Sequence, residues 1–197
     1  MDMSYLNFKN YIASKIPLKE ADWEIIKEVS EEQIFEAGTM ILEAGKVCRY
    51  LYYLNDGLLR YFDWIDGEEK TKFFTFPDQL FTSQQSFPSQ VPTQENIQAL
   101  EKSQVLAIHF DQVEFLFERI KNWSLFIRNV ILEVNLDTES LLRAAQNQTA
   151  EDRYKTLLND SPEYLQRIPL KYLASFLGIA PESLSRIRKK VAQNPNV

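Results

Sequence analysis

The sequence predicts an α+β chain: helices, then a roll of short strands, then one long helix leading to a terminal helix-turn-helix. Three observations carry this. Glycines punctuate a run of β-rich segments, the apolar period changes after residue 110, and a paired-helix pattern stands near the C-terminus. With 197 residues, 45% hydrophobic and 13% aromatic, the chain can bury a real core and has room for one substantial domain plus a small one.

Two stretches, 5–16 and 19–29, carry apolar residues at helical spacing and are expected to precede the roll. Gly38, Gly45, Gly57 and Gly67 then punctuate the segments 39–42, 49–54 and 58–64, which are rich in β-branched, aromatic and leucine residues. Asn55-Asp56-Gly57 and Asp66-Gly67 read as turns between strands. The segments 72–76, 95–100 and 104–110 continue the series, and this spacing suits a sandwich or barrel-like roll.

From Asp111 the apolar residues recur every three or four positions, giving a short helix over 111–119. Trp123, Ile127, Val130, Val134, Leu141 and Ala145 follow at steps near 3.5, with Asp137 as the weak position. That predicts a helix of about 25 residues with a narrow apolar seam, read as a dimer contact. Thr149 and Asp152 make a capping-box-like start to another helix, which Asp160-Ser161-Pro162 ends. The expected division is a roll with its N-terminal helices over 1–120, the long helix over 121–147 and a DNA-binding unit over 148–197.

That last unit rests on residues 168–191. Leu170, Leu173, Ala174 and Leu177 form one apolar stripe; Gly178 then suits the left-handed conformation that stops a helix. Pro181 opens a second helix in its first turn, where the missing N–H costs nothing. Leu184 and Ile187 face inward on it, leaving Glu182, Ser183, Ser185, Arg186, Arg188, Lys189 and Lys190 outside. Residues 165–197 carry about +5, while the whole chain is −6, leaving −11 on residues 1–164. An acidic chain with one cationic element attracts phosphates locally without general affinity for polyanions, which points to double-stranded DNA as partner.

Cysteine and histidine usage narrows the function classes. Cys48 is the single cysteine, which excludes an internal disulfide and an all-cysteine cluster, and it is expected to be a small semi-buried residue. His109 is the single histidine and reads as a half-buried strand residue rather than a haem ligand. Metal-dependent enzymes on barrel folds need two or three histidines with a carboxylate, so no enzymatic activity and no metal are expected. The N-terminus lacks a basic region followed by an apolar one, and charges interrupt every long apolar stretch, so a soluble cytoplasmic chain without a membrane partner is expected.

In order and in motif, the chain resembles the cyclic-AMP receptor protein/FNR (Crp/Fnr) family of transcription regulators. Phe35-Glu-Ala-Gly38-Thr-Met-Ile-Leu-Glu43-Ala-Gly45 is similar to the family's opening turn, and Leu51-Tyr-Tyr-Leu-Asn-Asp-Gly57-Leu-Leu-Arg60 to the strand-Gly-strand that follows. Leu173-Ala174 through Gly178, then Glu182-Ser183-Leu184-Ser185-Arg186, are similar to its DNA-reading element. The resemblance implies a cyclic-nucleotide-binding-like roll and a homodimer reading a pseudo-palindromic site in the major groove, with RNA polymerase as a further partner. It implies that Glu182 and Arg186 touch base edges, while Lys171, Ser183, Ser185, Arg188, Lys189 and Lys190 hold phosphates.

Departures from the family pattern are equally specific. Pro181 stands where a further arginine often begins the second helix. A trailing hairpin after that helix is expected to be absent or vestigial. In the family's nucleotide pocket a Phe-Gly-Glu turn grips ribose and an arginine about ten residues on pairs with phosphate. Here Phe81, Thr82 and Ser83 occupy the turn and Thr93 falls at the arginine position, with no arginine between Arg60 and Arg119. A buried phosphate without a cation is costly, so no cyclic-nucleotide cofactor is expected. The dense aromatics at 50–81 leave room for an apolar or aromatic effector instead. A competing reading is a small-molecule-binding roll whose helix-turn-helix makes protein contacts; the concentrated positive charge argues against it.

Overall fold

The computed structural model of the protein describes residues 3–160 and 162–193. Helices α1 (Met3–Lys15) and α2 (Glu20–Glu28) open the chain. Strands β1 (Glu31–Phe35), β2 (Met40–Leu42), β3 (Tyr50–Asp56), β4 (Leu59–Ile65), β5 (Glu68–Thr75) and β6 (Gln79–Phe81) follow. A short helix α3 (Ser86–Ser89) then separates these from β7 (Asn96–Ala99) and β8 (Ser103–His109). The remainder is helical: α4 (Phe110–Arg119), α5 (Trp123–Asn147), α6 (Ala150–Asp160), α7 (Pro162–Arg167), α8 (Leu170–Leu177) and α9 (Pro181–Gln193). Among the described residues no helix is long and apolar enough to cross a membrane.

The strands form two four-stranded sheets, ordered β1-β8-β3-β6 and β2-β7-β4-β5. Strand β3 has both faces buried. Tyr53 meets the α1 ring of Phe8, centroids 4.9 Å apart, whereas Tyr52 on the opposite face stacks on Phe81 at 4.7 Å. That two-sided burial explains its near-continuous apolar run Leu51-Tyr-Tyr-Leu54. The turn before β5 has Asp66 at φ 53° and Gly67 at φ 78°, the pair of left-handed residues that a tight type I′ hairpin needs.

The chain divides into two compact units. One comprises Met1–Tyr61 with Phe74–Asn135; the other comprises Phe62–Phe73 with Leu136–Val197. The roll without residues 62–73, α1 to α4 and the first half of α5 make the first. The tip of the β4–β5 hairpin joins the C-terminal helices in the second, a partition that chain order does not suggest.

Helix α5 has the 25-residue length expected, but its first apolar residue is turned elsewhere. Trp123 is fully buried within its own chain, its ring 5.0 Å from Phe126, which in turn meets Tyr11 edge-on. Trp123 therefore belongs to the core of the roll unit and is not part of a seam. Ile127, Val130 and Val134 are half-buried, while Ile131 and Leu141 are exposed, so the open apolar stripe starts a turn later than the sequence suggests. The reciprocal cap at Thr149 is formed: the Asp152 N–H donates to Thr149 Oγ1 at 3.1 Å and the Thr149 N–H to Asp152 Oδ2 at 3.1 Å. Pro162, expected to close α6, instead opens α7 at its first position. Ser161, within that expected break, and the stretch after Gln193, where a trailing hairpin was in question, lie outside the described residues.

Gly57 is held at φ 117° between β3 and β4, and a Cβ there would sit 2.7 Å from the Ser103 Cα. Gly57→Ala is expected to destabilise the protein by about 2 kcal/mol or more. Gly38→Ala, at φ 88° in open space, should cost less. Urea unfolding of the two variants against the parent checks the ranking.

Candidate nucleic-acid interface and ligand position

The turn between α8 and α9 is built by backbone hydrogen bonds around a left-handed glycine. Gly178 has φ 68°, its N–H donates to the Ser175 carbonyl at 3.0 Å, and the Ile179 N–H reaches back to the Ala174 carbonyl at 3.0 Å. This pair of bonds is the Schellman arrangement that terminates a helix. Arg153 of α6 donates to the Leu177 carbonyl at 2.8 Å, capping the same end from a second direction. Leu173, Ala174, Leu177 and Leu184 are all fully buried, so the small Ala174 sits where the two helices come together.

With Leu184 inward, the rest of α9 is fixed by helical geometry. Glu182, Ser185, Arg186 and Lys189 are exposed, and their spacing of three, four and seven residues places them on one face. Ser183 and Arg188 are half-buried and flank that stripe. Ser185 Oγ donates to the Pro181 carbonyl at 3.1 Å, which leaves the oxygen facing solvent as an acceptor. Lys189 is the exposed cation one turn beyond Arg186.

Lys190 has a partner on another helix that the sequence reading did not include. Its ammonium pairs with Glu151 of α6 at 2.7 Å, and Lys155 pairs with the same carboxylate at 3.2 Å. The Lys190 ammonium, with Lys155 beside it, holds the Glu151 carboxyl below the usual glutamate range. Lys190 thus ties α9 to α6 while its side chain stays exposed. Lys171 is exposed on α8, its ammonium 4.4 Å from the centre of the Tyr172 ring. The sequence carries no local signal for the pairing with Glu151, 39 residues away from Lys190.

In the roll unit the second candidate position is closed on itself. Ser83 is fully buried and Thr93 nearly so. Ser83 Oγ donates to Glu95 Oε1 at 2.6 Å and lies 3.3 Å from Thr93 Oγ1, while the Glu95 N–H donates to Thr93 Oγ1 at 3.1 Å. Thr82 Oγ1 donates to the Tyr50 carbonyl at 2.9 Å and sits 3.3 Å from the buried Cys48 sulfur. Phe81 stacks against Tyr52. The fold therefore brings Ser83 and Thr93 together, as counting along the sequence implied, and adds a carboxylate that the count missed. These bonds join hydroxyls, backbone and a carboxylate, a set that offers an anion no compensating charge.

A separate open cavity of about 210 Å³ lies between β2 and β3, lined by Met40, Leu42, Lys46, Cys48, Tyr50 and Tyr52 among others. It does not include the Ser83–Thr93 position. His109 is half-exposed, and its Nδ1 accepts from the Asp111 N–H at 3.3 Å, so it caps α4. Among the described residues no group of three or more His, Cys, Asp or Glu is arranged to hold a metal ion.

Residues 32–120 match the family model of the cyclic nucleotide-binding domain. Over most of its length the chain also has the fold of the Crp/Fnr regulators. FixK2 from Bradyrhizobium japonicum is similar over 85% of this chain and 86% of that one, with a TM-score of 0.75 at 15% identity. The c-di-GMP-responsive global regulator CLP from Xanthomonas campestris aligns over 90% of this chain and 93% of its own, with a TM-score of 0.71 at 15% identity. A protein from Eubacterium rectale described as a crp/fnr-family transcriptional regulator aligns over 92% and 88%, with a TM-score of 0.71 at 17% identity. No curated protein sequence matches the chain.

Addition of cyclic AMP to the purified protein is expected to leave its melting temperature unchanged, because binding would have to break the Ser83–Glu95 bond and set a phosphate beside a carboxylate. A thermal-shift titration checks this, and a saturable rise with nucleotide concentration would contradict it.

Proposed function

We propose that the protein is a homodimeric transcription regulator of the Crp/Fnr type that reads double-stranded DNA with α9 in the major groove. The observation that carries this reading is the exposed stripe Glu182, Ser185, Arg186 and Lys189 on one face of α9, in a chain whose net charge is otherwise strongly negative. A helix of 13 residues is about 20 Å long and fits the major groove, about 12 Å wide. In that groove Glu182 accepts a hydrogen bond from a cytosine amino group and Arg186 donates to guanine O6 and N7. Ser185 and Lys189 hold phosphates and set register, with Lys171 contributing from α8 and Ser183 and Arg188 from the flanks. Structural relatives described as transcription regulators support the same reading.

The pairing surface is the second part of the proposal. Ile127, Ile131, Val134, Thr138, Leu141 and Ala145 recur at alternating steps of four and three, the pattern of a two-helix seam. Ile131 is 54% exposed and Leu141 43% exposed, large apolar areas for a lone chain to leave in water. Two copies joined along α5 present two α9 helices to half-sites about one helical turn apart. Cyclic AMP is not the effector in this reading. An apolar or aromatic small molecule at the β2–β3 cavity, and contact with RNA polymerase, belong to the same proposal.

Arg186→Ala is expected to weaken binding to the preferred duplex about 5- to 150-fold, about 1–3 kcal/mol, and to relax specificity at one base position. Lys189→Ala should weaken all duplexes alike and reduce the salt slope by about one. Mobility-shift titrations over a range of salt separate the two, and an unaffected Arg186→Ala variant would sink the base-reading role.

The seam has its own test. Ile131→Glu is expected to convert the dimer to monomer in sedimentation velocity. Leu132→Glu, at a residue of similar exposure on another face of α5, should leave it paired.

A further inference from the structure

Strand β5 closes one edge of its sheet, so every second residue along it points N–H and C=O groups away from β4. Two of those edge groups are taken by a single side chain from the DNA-reading helices. The Thr71 N–H donates to Ser175 Oγ at 2.9 Å, and Ser175 Oγ donates to the Glu69 carbonyl at 3.2 Å. One hydroxyl thereby satisfies a donor and an acceptor two residues apart, more than 100 positions away in sequence. Ser175 lies in the middle of α8, three residues before Gly178, and its own carbonyl accepts the Gly178 N–H that closes the turn. The hairpin tip, residues 62–73, clusters into the same compact unit as α8 and α9.

We propose that Ser175 is a positioning residue for DNA reading. Its hydroxyl clamps the open edge of the β4–β5 hairpin to α8, and this strap holds the α8–α9 pair in the geometry that presents Arg186 to bases. The proposal rests on the DNA-reading role given above.

The test compares the unsubstituted chain with Ser175→Ala, which deletes the hydroxyl, and Ser175→Thr, which keeps it. Amide hydrogen exchange at Thr71 reads the clamp without DNA. Binding to a duplex selected from a randomised pool, set against binding to its scrambled counterpart, reads the positioning. All measurements are made well below the melting temperature of each variant. Ser175→Ala is expected to raise Thr71 exchange about tenfold and to lower the selected-to-scrambled affinity ratio about threefold or more, with Ser175→Thr restoring both. Unchanged exchange in Ser175→Ala overturns the clamp. Faster exchange with an unaltered ratio overturns the positioning role and leaves Ser175 a purely structural contact. If the unsubstituted chain binds no duplex, the DNA-reading role itself fails and the positioning role with it, while the exchange result still decides whether the clamp exists.

Discussion

The left-handed turn at Gly178 is the constraint on which the C-terminal unit depends. A residue with a Cβ is strained at φ 68°, so glycine lets α8 stop without that cost and turns the chain toward α9. Once α8 ends there, Pro181 starts α9 with its backbone already disposed for a helix, and Leu184 falls into the core with Leu173, Ala174 and Leu177. Burying Leu184 sets the rotation of α9, and rotation decides which charges meet solvent. Glu182, Arg186 and Lys189 are on the surface because Leu184 is not. Arg153 and Ser175 reinforce the same turn through the Leu177 carbonyl and the hairpin edge.

The two candidate positions follow opposite electrostatic logics. On α9, Arg186 and Lys189 are exposed to solvent, and in the proposed DNA-reading role release of counterions from the duplex would drive association. At Ser83 and Thr93 the polar atoms are dehydrated and satisfied by one another and by Glu95. Opening that network exposes buried donors and acceptors that an incoming phosphate could not replace without a cation. Residues 32–120 thus match the cyclic nucleotide-binding domain model while Ser83 and Thr93 are bonded to Glu95 and to each other. What remains in the roll unit is an aromatic interior, with Tyr50, Tyr52 and Phe81 packed around Cys48 and Thr82.

Much of the fold was legible because its signals are local. Glycines at turns, the switch of apolar period near residue 110 and the Thr149–Asp152 cap each depend on residues within a few positions of one another. Elements without such signals were missed. Strand β1 begins Glu31-Glu32-Gln33 and lies at a sheet edge with little burial, so it lacks the apolar alternation that marks a strand. Strand β6 and helix α3 span three and four residues, too short for any period to show. Trp123 was assigned to the seam because it keeps step with Ile127, yet a helix can bury one end of an apolar stripe and expose the other.

By itself the sequence determined the order of the elements, the places where helices start and stop, and the concentration of positive charge after residue 164. All of these are properties of neighbouring residues or of composition. Tertiary structure alone decided which of the exposed cations meets a distant partner: Lys190 pairs with Glu151. It also placed Glu95 against Ser83 and Ser175 against the β5 edge. The physical reason is common to these cases. A hydrogen bond or ion pair between distant segments depends on where the fold brings two side chains, and helical or strand periodicity constrains only the face each one points from.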